Sequence, residues 1–245
     1  MNASNKQALL GVGTNYKTIK SKKVGVLTGI LYMAPYTLSG KNVCPNASAG
    51  CAAACLNTAG RGAMKSVKRA RLKKTNRFWD DRGQFLQDLA EEVGKLQRRA
   101  EAIGMLAAVR LNGTSDLPYE RYKVPGTDKN IMELFPAVQF YDYTKLENRF
   151  IGKKLPANYH LTFSRAEDND HKLDAVLEYT SAAVVFSGKL PATWRGYPVI
   201  DGDEHDARFT DAGPGTIIGL TAKGKARHDG SGFVVPSHGT DSTWN

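Results

Sequence analysis

The sequence predicts one α/β domain with a mainly parallel sheet, folded as a full or partial (β/α) barrel. Seven largely apolar runs are spread along the chain, the first of them rich in β-branched residues, and such runs are typical of buried strands. The intervals between them are long enough for the crossover connections that parallel strands need. With 245 residues, 41% of them hydrophobic, the chain can bury a sizeable core without disulfide bonds.

The strands are predicted, in chain order, at residues 24–33, 105–111, 137–142, 160–164, 182–187, 197–201 and 216–222. Between the first two strands we expect a basic helix at 62–77. An amphipathic helix should follow, capped by Asp80 or Asp81 and stopped by Gly104, because its apolar residues recur every three or four positions. Shorter helical stretches are expected at 118–134 and 169–181.

The predicted strands divide the chain into three parts. Residues 1–23 are polar and are expected to form a flexible lead-in, residues 24–222 the single domain, and residues 223–245 an irregular C-terminal tail. The lead-in lacks the apolar core of a signal peptide, and no apolar run approaches the length of a membrane span. We therefore expect a cytoplasmic protein without a membrane partner. Its net charge of +10 favours polyanionic partners, chiefly nucleic acid.

The three cysteines, Cys44, Cys51 and Cys55, are the most informative residues in the sequence. An odd number so close together argues against a disulfide framework. On a helical turn Cys51 and Cys55 share one face, and the three alanines between them leave room for an inorganic group. The loop at 45–50 lets Cys44 fold back towards them. Because converging thiolates suit soft metals, we favour a [4Fe–4S] cluster in which one iron has no cysteine ligand.

Three alternatives stay open for these cysteines. A zinc site would need a fourth ligand and usually contains paired C-x2-C elements, and neither is obvious here. The thiols could equally be buried without any ligand. A lone catalytic thiol is the third alternative, although no local signature accompanies any of the three.

Polar segments follow six of the predicted strands, where parallel α/β folds bind their ligands. Besides the cysteine segment, they are residues 112–116, 142–145, 164–168, 187–189 and 201–206. Polar turn residues also end strands that bind nothing, so each segment taken alone has a purely structural explanation. The acid-rich stretch at 201–211 could alternatively hold a hard metal ion, as in a metal-dependent nuclease.

The run VCPNASAGCAAACLNTAGRG, the basic helix after it, and the later VRLNGTSD and FYDYTK resemble a bacteriophage family, the gene 88 protein family, over about residues 43–233. Three cysteines after the first strand of a parallel barrel also resemble the radical S-adenosylmethionine (SAM) enzymes. In that superfamily a [4Fe–4S] cluster follows strand one, and SAM chelates its open iron. The spacing here is C-x6-C-x3-C, whereas the superfamily usually has C-x3-C-x2-C.

The second resemblance implies roles for matching positions. Cys44, Cys51 and Cys55 become cluster ligands, and the turn after the second strand meets the SAM amino group. That turn consists of Asn112, Gly113, Thr114, Ser115 and Asp116. Ser164 and Arg165 are expected to hold the ribose and the carboxylate. The implied function is that of a radical-SAM-like iron–sulfur enzyme, encoded by a phage and acting in the host cytoplasm on an unknown substrate.

The basic segment at 65–79 supports a different function. Its cations, uninterrupted by any acid, are Lys65, Lys68, Arg69, Arg71, Lys73, Lys74 and Arg77. Most charge runs are simply solvated faces. Here Phe78 and Trp79 follow directly, and cations next to aromatic side chains are typical of nucleic-acid binding. The alternative function is therefore a non-catalytic nucleic-acid-binding protein that iron–sulfur or zinc ligation stabilises.

Overall fold

The computed structural model describes residues 7–13, 16–152 and 155–237. In these residues ten strands form one mixed sheet. Their bounds are β1 Leu10–Val12, β2 Val26–Leu31, β3 Leu106–Arg110, β4 Gln139–Thr144, β5 Tyr159–Ser164, β6 Ala182–Phe186, β7 Thr193–Trp194, β8 Tyr197–Asp201, β9 Ile217–Thr221 and β10 Val234–Val235. All seven predicted strands are present close to their predicted positions, so the mainly parallel α/β fold is confirmed.

The sheet is open, and the expectation of a full barrel is not met. Its strand order is β1-β2-β3-β4-β5-β6-β9-β8-β7, and every neighbouring pair from β2 to β8 is parallel. At the two ends, β1 pairs antiparallel with β2 and β7 pairs antiparallel with β8. These antiparallel strands occupy the positions at which a barrel would close. The short β10 pairs parallel with the last residues of β6, beyond the point where β5 stops pairing with it.

Six α-helices connect the strands in the described ranges. They are α1 Tyr16–Ser21, α2 Ala49–Ala53, α3 Lys65–Asp80, α4 Arg82–Glu101, α5 Ile131–Leu134 and α6 Leu173–Leu177. The predicted basic and amphipathic helices correspond to α3 and α4. Asp81 caps α4 by accepting a hydrogen bond from the backbone N–H of Gln84 at 2.9 Å. The apolar face of α4, including Phe85 and Leu89, packs in the core that also holds Leu27 and Val109 of the sheet.

The helix predicted at 118–134 is wrong for most of its length. Only a 3-10 turn at Tyr119–Arg121 and the short α5 are helical there, because the Pro125-Gly126 turn interrupts the stretch. The helix predicted at 169–181 is shorter than expected and consists of a 3-10 turn, Asp170–Lys172, followed by α6.

The two terminal segments contain regular structure that the sequence did not predict. The described part of the lead-in at 1–23 holds β1 and α1, and Glu92 of α4 accepts hydrogen bonds from the backbone N–H groups of Leu9 and Leu10. The tail holds a 3-10 helix, Gly224–His228, and β10. Residues 1–6 and 238–245 lie outside the described residues.

The face of the sheet opposite α4 is polar and is covered by the chain after β8. Asp206 lies against it, accepting hydrogen bonds from Arg110 Nη1 at 3.1 Å and from the Tyr141 hydroxyl at 2.9 Å. Ala207 and Phe209 pack in a small cluster with Val26 and Tyr141. Among the described residues no helix is long and apolar enough to cross a membrane.

Candidate metal centre at the rim of the sheet

The cysteine segment lies across the carboxyl ends of β2 and β3. Its first part is bound to the turn after β3, because the N–H of Asp116 donates to the Val43 carbonyl at 2.9 Å and Thr114 Oγ1 donates to the Met33 carbonyl at 2.6 Å. The Cys44 Sγ lies 3.6 Å from the Thr114 carbonyl oxygen. Gly113 has no room for a side chain, since a Cβ there would be 2.8 Å from the Leu31 carbonyl oxygen. The first cysteine is thus fixed at the rim.

The second part of the segment is α2, which is fastened to the rim at β5. Ser48 caps α2 by accepting a hydrogen bond from the Cys51 N–H at 3.0 Å. Glu167, in the loop after β5, accepts hydrogen bonds from the Gly50 N–H at 2.7 Å and from the Ser48 hydroxyl at 2.8 Å. This carboxylate therefore fixes the position of the helix that carries Cys51.

The three thiols are half-buried and lie close enough for their charges to interact. Burial is the main reason why the pKa of Cys44 rises to about 12 and the pKa of Cys55 rises above its usual value, and the neighbouring cysteines add to both shifts. Backbone N–H groups oppose these shifts. The N–H of Tyr36 donates to Cys44 Sγ at 3.4 Å, and the backbone of Asn57 lowers the pKa of Cys55. Such donors stabilise sulfurs in their charged, metal-binding form.

Tyr36 reaches this position through an unusual backbone conformation. Its φ of 50° lies in the left-handed region, which residues with a side chain rarely adopt. Its carbonyl accepts a hydrogen bond from the Val43 N–H, so the loop from Tyr36 to Cys44 is closed at both ends. Strained residues of this kind concentrate at functional sites.

Two cations extend towards Cys55 from different elements. Arg71 of α3 donates through Nη1 to Asn57 Oδ1 at 2.9 Å, and its guanidinium lies 4.9 Å from the centre of the Tyr32 ring. Lys145, directly after β4, donates through Nζ to Ser164 Oγ at 2.9 Å. The charges of both lower the pKa of Cys55, against the larger effect of burial.

Among the described residues no group of three His, Cys, Asp or Glu side chains, the three cysteines included, is arranged to hold a metal ion. The acid-rich stretch after β8 is paired instead with cations. Besides the contact of Asp206 with Arg110, Asp203 accepts from Lys223 Nζ at 2.7 Å, and Asp211 lies 3.0 Å from Arg208 Nη1. Nothing in these ranges supports the hard-metal alternative.

The structure brings the predicted cofactor-binding residues to the same rim, where most of them bind other parts of the chain. The Asn112 side chain bridges Asp142, Ser115 and the backbone of Leu117. Asp116 accepts from the Lys145 N–H at 3.0 Å and pairs with Arg149. The backbone of this turn is thereby rigid.

Arg165 and Ser164 also have partners within the chain. Arg165 is buried, and its Nε donates to Asp170 Oδ1 at 2.6 Å. Its Nη1 donates to the carbonyl of Gly232 at 2.5 Å and to that of Phe233. Arg165 thus attaches the tail to the rim, while Ser164 accepts from Lys145.

The cations of the predicted nucleic-acid segment face in two directions. Lys65, Arg69 and Lys73 are exposed, one helical turn apart on a single face of α3, and the half-buried Lys68 lies at the edge of that face. The remaining three point into the protein. Arg71 lies near Cys55, Lys74 Nζ donates to the Leu9 carbonyl at 2.6 Å, and Arg77 pairs with Asp88. The seven cations therefore do not form one surface.

Sequence reasoning placed Glu167 and Lys145 in the polar segments after two strands but gave neither a role, and it missed the backbone N–H of Tyr36. A signal existed for the role of Glu167, because Ser48 before the run AGCAA is a typical N-cap and Glu167 follows a predicted strand end. The φ of Tyr36 had no counterpart in the sequence pattern.

The sequence model of a protein family described as Gene product 88 matches residues 6–237. The chain belongs to this family. Membership supports a bacteriophage origin, as the resemblance implied. No curated protein and no solved structure matches the chain. None of these comparisons supports the resemblance to radical SAM enzymes, which stays a prediction.

Proposed function

We propose that the protein is a radical-SAM-like iron–sulfur enzyme of a bacteriophage, acting in the host cytoplasm, in which Cys44, Cys51 and Cys55 hold a [4Fe–4S] cluster. One observation carries the proposal. Cys44 is held at the carboxyl rim of a parallel sheet, where its sulfur accepts the backbone N–H of Tyr36, and Glu167 fixes the helix that carries Cys51 to the same rim. This rim is where parallel α/β proteins bind ligands.

The case for a cluster rests on the number and spacing of the cysteines and on the position of their segment at the rim. Among the described residues no group of three donors is arranged to hold a metal ion, so the proposal requires the three thiols to gather around the cluster when it is loaded. In a cluster each thiolate binds a different iron. The small side chains of Ala52 and Ala53, between Cys51 and Cys55, add little bulk beside the thiols.

SAM is the cofactor that we propose for the iron without a cysteine ligand. An iron with an open position can bind a cofactor or substrate directly instead of only passing electrons. The order of strands β2 to β6, each beside the next in sequence, is that of an opened (β/α) barrel and supports this proposal. The turn from Asn112 to Asp116 contacts the cysteine segment and is the polar edge that we assign to the SAM amino group.

The test is calorimetric titration of SAM into protein whose cluster has been reconstituted without oxygen. We expect saturable binding with about one SAM per cluster and no binding to the metal-free protein. If the cluster-loaded protein shows no SAM binding, the enzyme proposal is wrong, even where iron is present.

A second candidate function is nucleic-acid binding without catalysis, and the exposed face of α3 favours it. Lys65, Arg69 and Lys73 have no carboxylate partner in the described ranges, and no acid lies on α3 before Asp80. Cations of this kind bind phosphates with an affinity that falls steeply with salt.

Neutralising these three residues should flatten the salt dependence of single-stranded oligonucleotide binding. Neutralising the exposed Lys95, Arg98 and Arg99 of α4 is the matched control, and equal effects of the two triple variants would exclude α3 as the binding surface.

A further inference from the structure

Arg71 and Lys145 are half-buried cations that lack a carboxylate partner in the described parts of the chain. The contacts of Arg71 are with Asn57 and Tyr32, and those of Lys145 Nζ are with Ser164 and the Phe233 ring. Elsewhere in the molecule the half-buried or buried arginines Arg110, Arg149 and Arg165 each have an acidic partner. Lys74, which is also half-buried, donates instead to the Leu9 carbonyl. Removing two neighbouring cations from water without an anion is unfavourable, and this is the observation that points to an anionic ligand.

Both cations lie near Cys55, Arg71 on α3 and Lys145 directly after β4. Asn57, which accepts from Arg71, lies two residues after Cys55. Phe233, which lies 5.7 Å from Lys145 Nζ, packs in a cluster with Ala54, the neighbour of Cys55. The space that both cations can reach therefore adjoins Cys55.

The charge of a cluster does not fully satisfy this pair. Three thiolates on an oxidised [4Fe–4S] core carry one net negative charge, whereas Arg71 and Lys145 carry two positive charges. The nearby Asp116 is already paired with Arg149. One positive charge is thus left over, together with the hydroxyl hydrogen of Ser164, whose oxygen already accepts from Lys145.

We propose that Arg71 and Lys145 bind an oxyanion group, a carboxylate or a phosphate, of a small molecule that lies beside Cys55. Arg71 offers the planar fork that pairs with such groups, and Lys145 a compact ammonium. The proposal deepens the proposed function, on which it rests for the presence of a cluster, by giving the ligand of the same site a chemical class. It also separates Arg71 from the exposed cations of α3.

The experiment titrates inorganic phosphate, and separately acetate, into metal-free and cluster-loaded protein in a low-chloride buffer. We expect one anion per chain in both forms. A preference for phosphate indicates a phosphate ester, and a preference for acetate indicates a carboxylate. The neutral variants Arg71→Gln and Lys145→Gln keep a donor for Asn57 or Ser164 and should each bind the anion at least about tenfold more weakly. Arg99→Ala and Lys129→Ala, which remove exposed cations elsewhere, should bind like the wild type.

Three results would overturn the proposal: no saturable binding of either anion, equal affinity in the neutral variants, or binding that disappears when the cluster is loaded. The last result would mean that the pair serves only the cluster. Thermal unfolding of each variant shows that it is folded, so a loss of binding can be interpreted. Iron content is measured separately. Anion binding without iron would therefore refute only the cluster, whereas iron without anion binding would refute only this inference.

Discussion

Replacing Glu167 should loosen the helix that carries Cys51. Its carboxylate accepts hydrogen bonds from the Gly50 N–H at 2.7 Å and the Ser48 hydroxyl at 2.8 Å, and the side chain is half-buried. A hydrogen bond to a charged group contributes about 1.5–3 kcal/mol, and partial exposure favours the low end of that range. We therefore expect Glu167→Ala to lower the free energy of unfolding by about 2–3 kcal/mol. Glu167→Gln, whose amide oxygen can still accept from Gly50, should cost about 1 kcal/mol.

The measurement is urea unfolding of the metal-free variants, followed by iron analysis after reconstitution. Asp168→Ala is the matched control, because Asp168 is the exposed neighbour of Glu167 and has no contact with α2. It should change the free energy of unfolding by no more than about 0.5 kcal/mol and leave iron content unchanged. If Glu167→Ala unfolds at the same urea concentration as the wild type, or if Asp168→Ala is equally damaging, the carboxylate does not hold α2.

Three other predictions concern the same region. Burial raises the pKa of Asp142 from 3.8 to about 7. The stability that the protonated Asp142 provides is present at low pH and is lost as the pH rises through 7, by up to about 4 kcal/mol. The free energy of unfolding of Asp142→Asn between pH 4 and 8 should therefore depend less on pH than that of the wild type, and parallel curves would contradict this. Gly50→Ala places a Cβ 2.8 Å from the Phe233 Cβ. It should lower the free energy of unfolding, measured in urea, by about 1–3 kcal/mol. In the control Gly213→Ala the new Cβ meets no atom within 4 Å, and this variant should behave like the wild type. Cys51→Ala should lose most of the iron, because each thiolate holds one corner of the cluster; full iron content in this variant would remove Cys51 from the ligand set.

The larger strands could be predicted because each is an apolar run with a clear beginning and end, such as Ala182–Phe186. The strands that were missed have only two or three residues. Pairing with a neighbour makes them strands, as β10 shows by extending along β6 where β5 stops. A sequence pattern gives no information about such a partner. The missed interruption at Pro125-Gly126 was visible in the sequence, and there the helical prediction simply extended too far.

For the site, the sequence predicted that the three cysteines follow the first long strand, and their joint ligation of a cluster stays a prediction. The orientation of α3 could not be read from its charges. Arg71, Lys74 and Arg77 point inwards because Asn57, the Leu9 carbonyl and Asp88 provide acceptors from distant parts of the chain. The roles of Glu167 and Lys145 likewise depend on strand order, which brings the ends of β2, β4 and β5 to one rim.

The metal content of the protein purified without oxygen tests the cluster most sharply. We expect about four irons and a similar amount of acid-labile sulfide per chain, with little zinc. Alanine at Cys44 or Cys55 should lower both iron and sulfide, because each thiolate is proposed to hold one corner of the cluster. Stoichiometric zinc without sulfide, or full iron content in all three single alanine variants, would contradict the cluster.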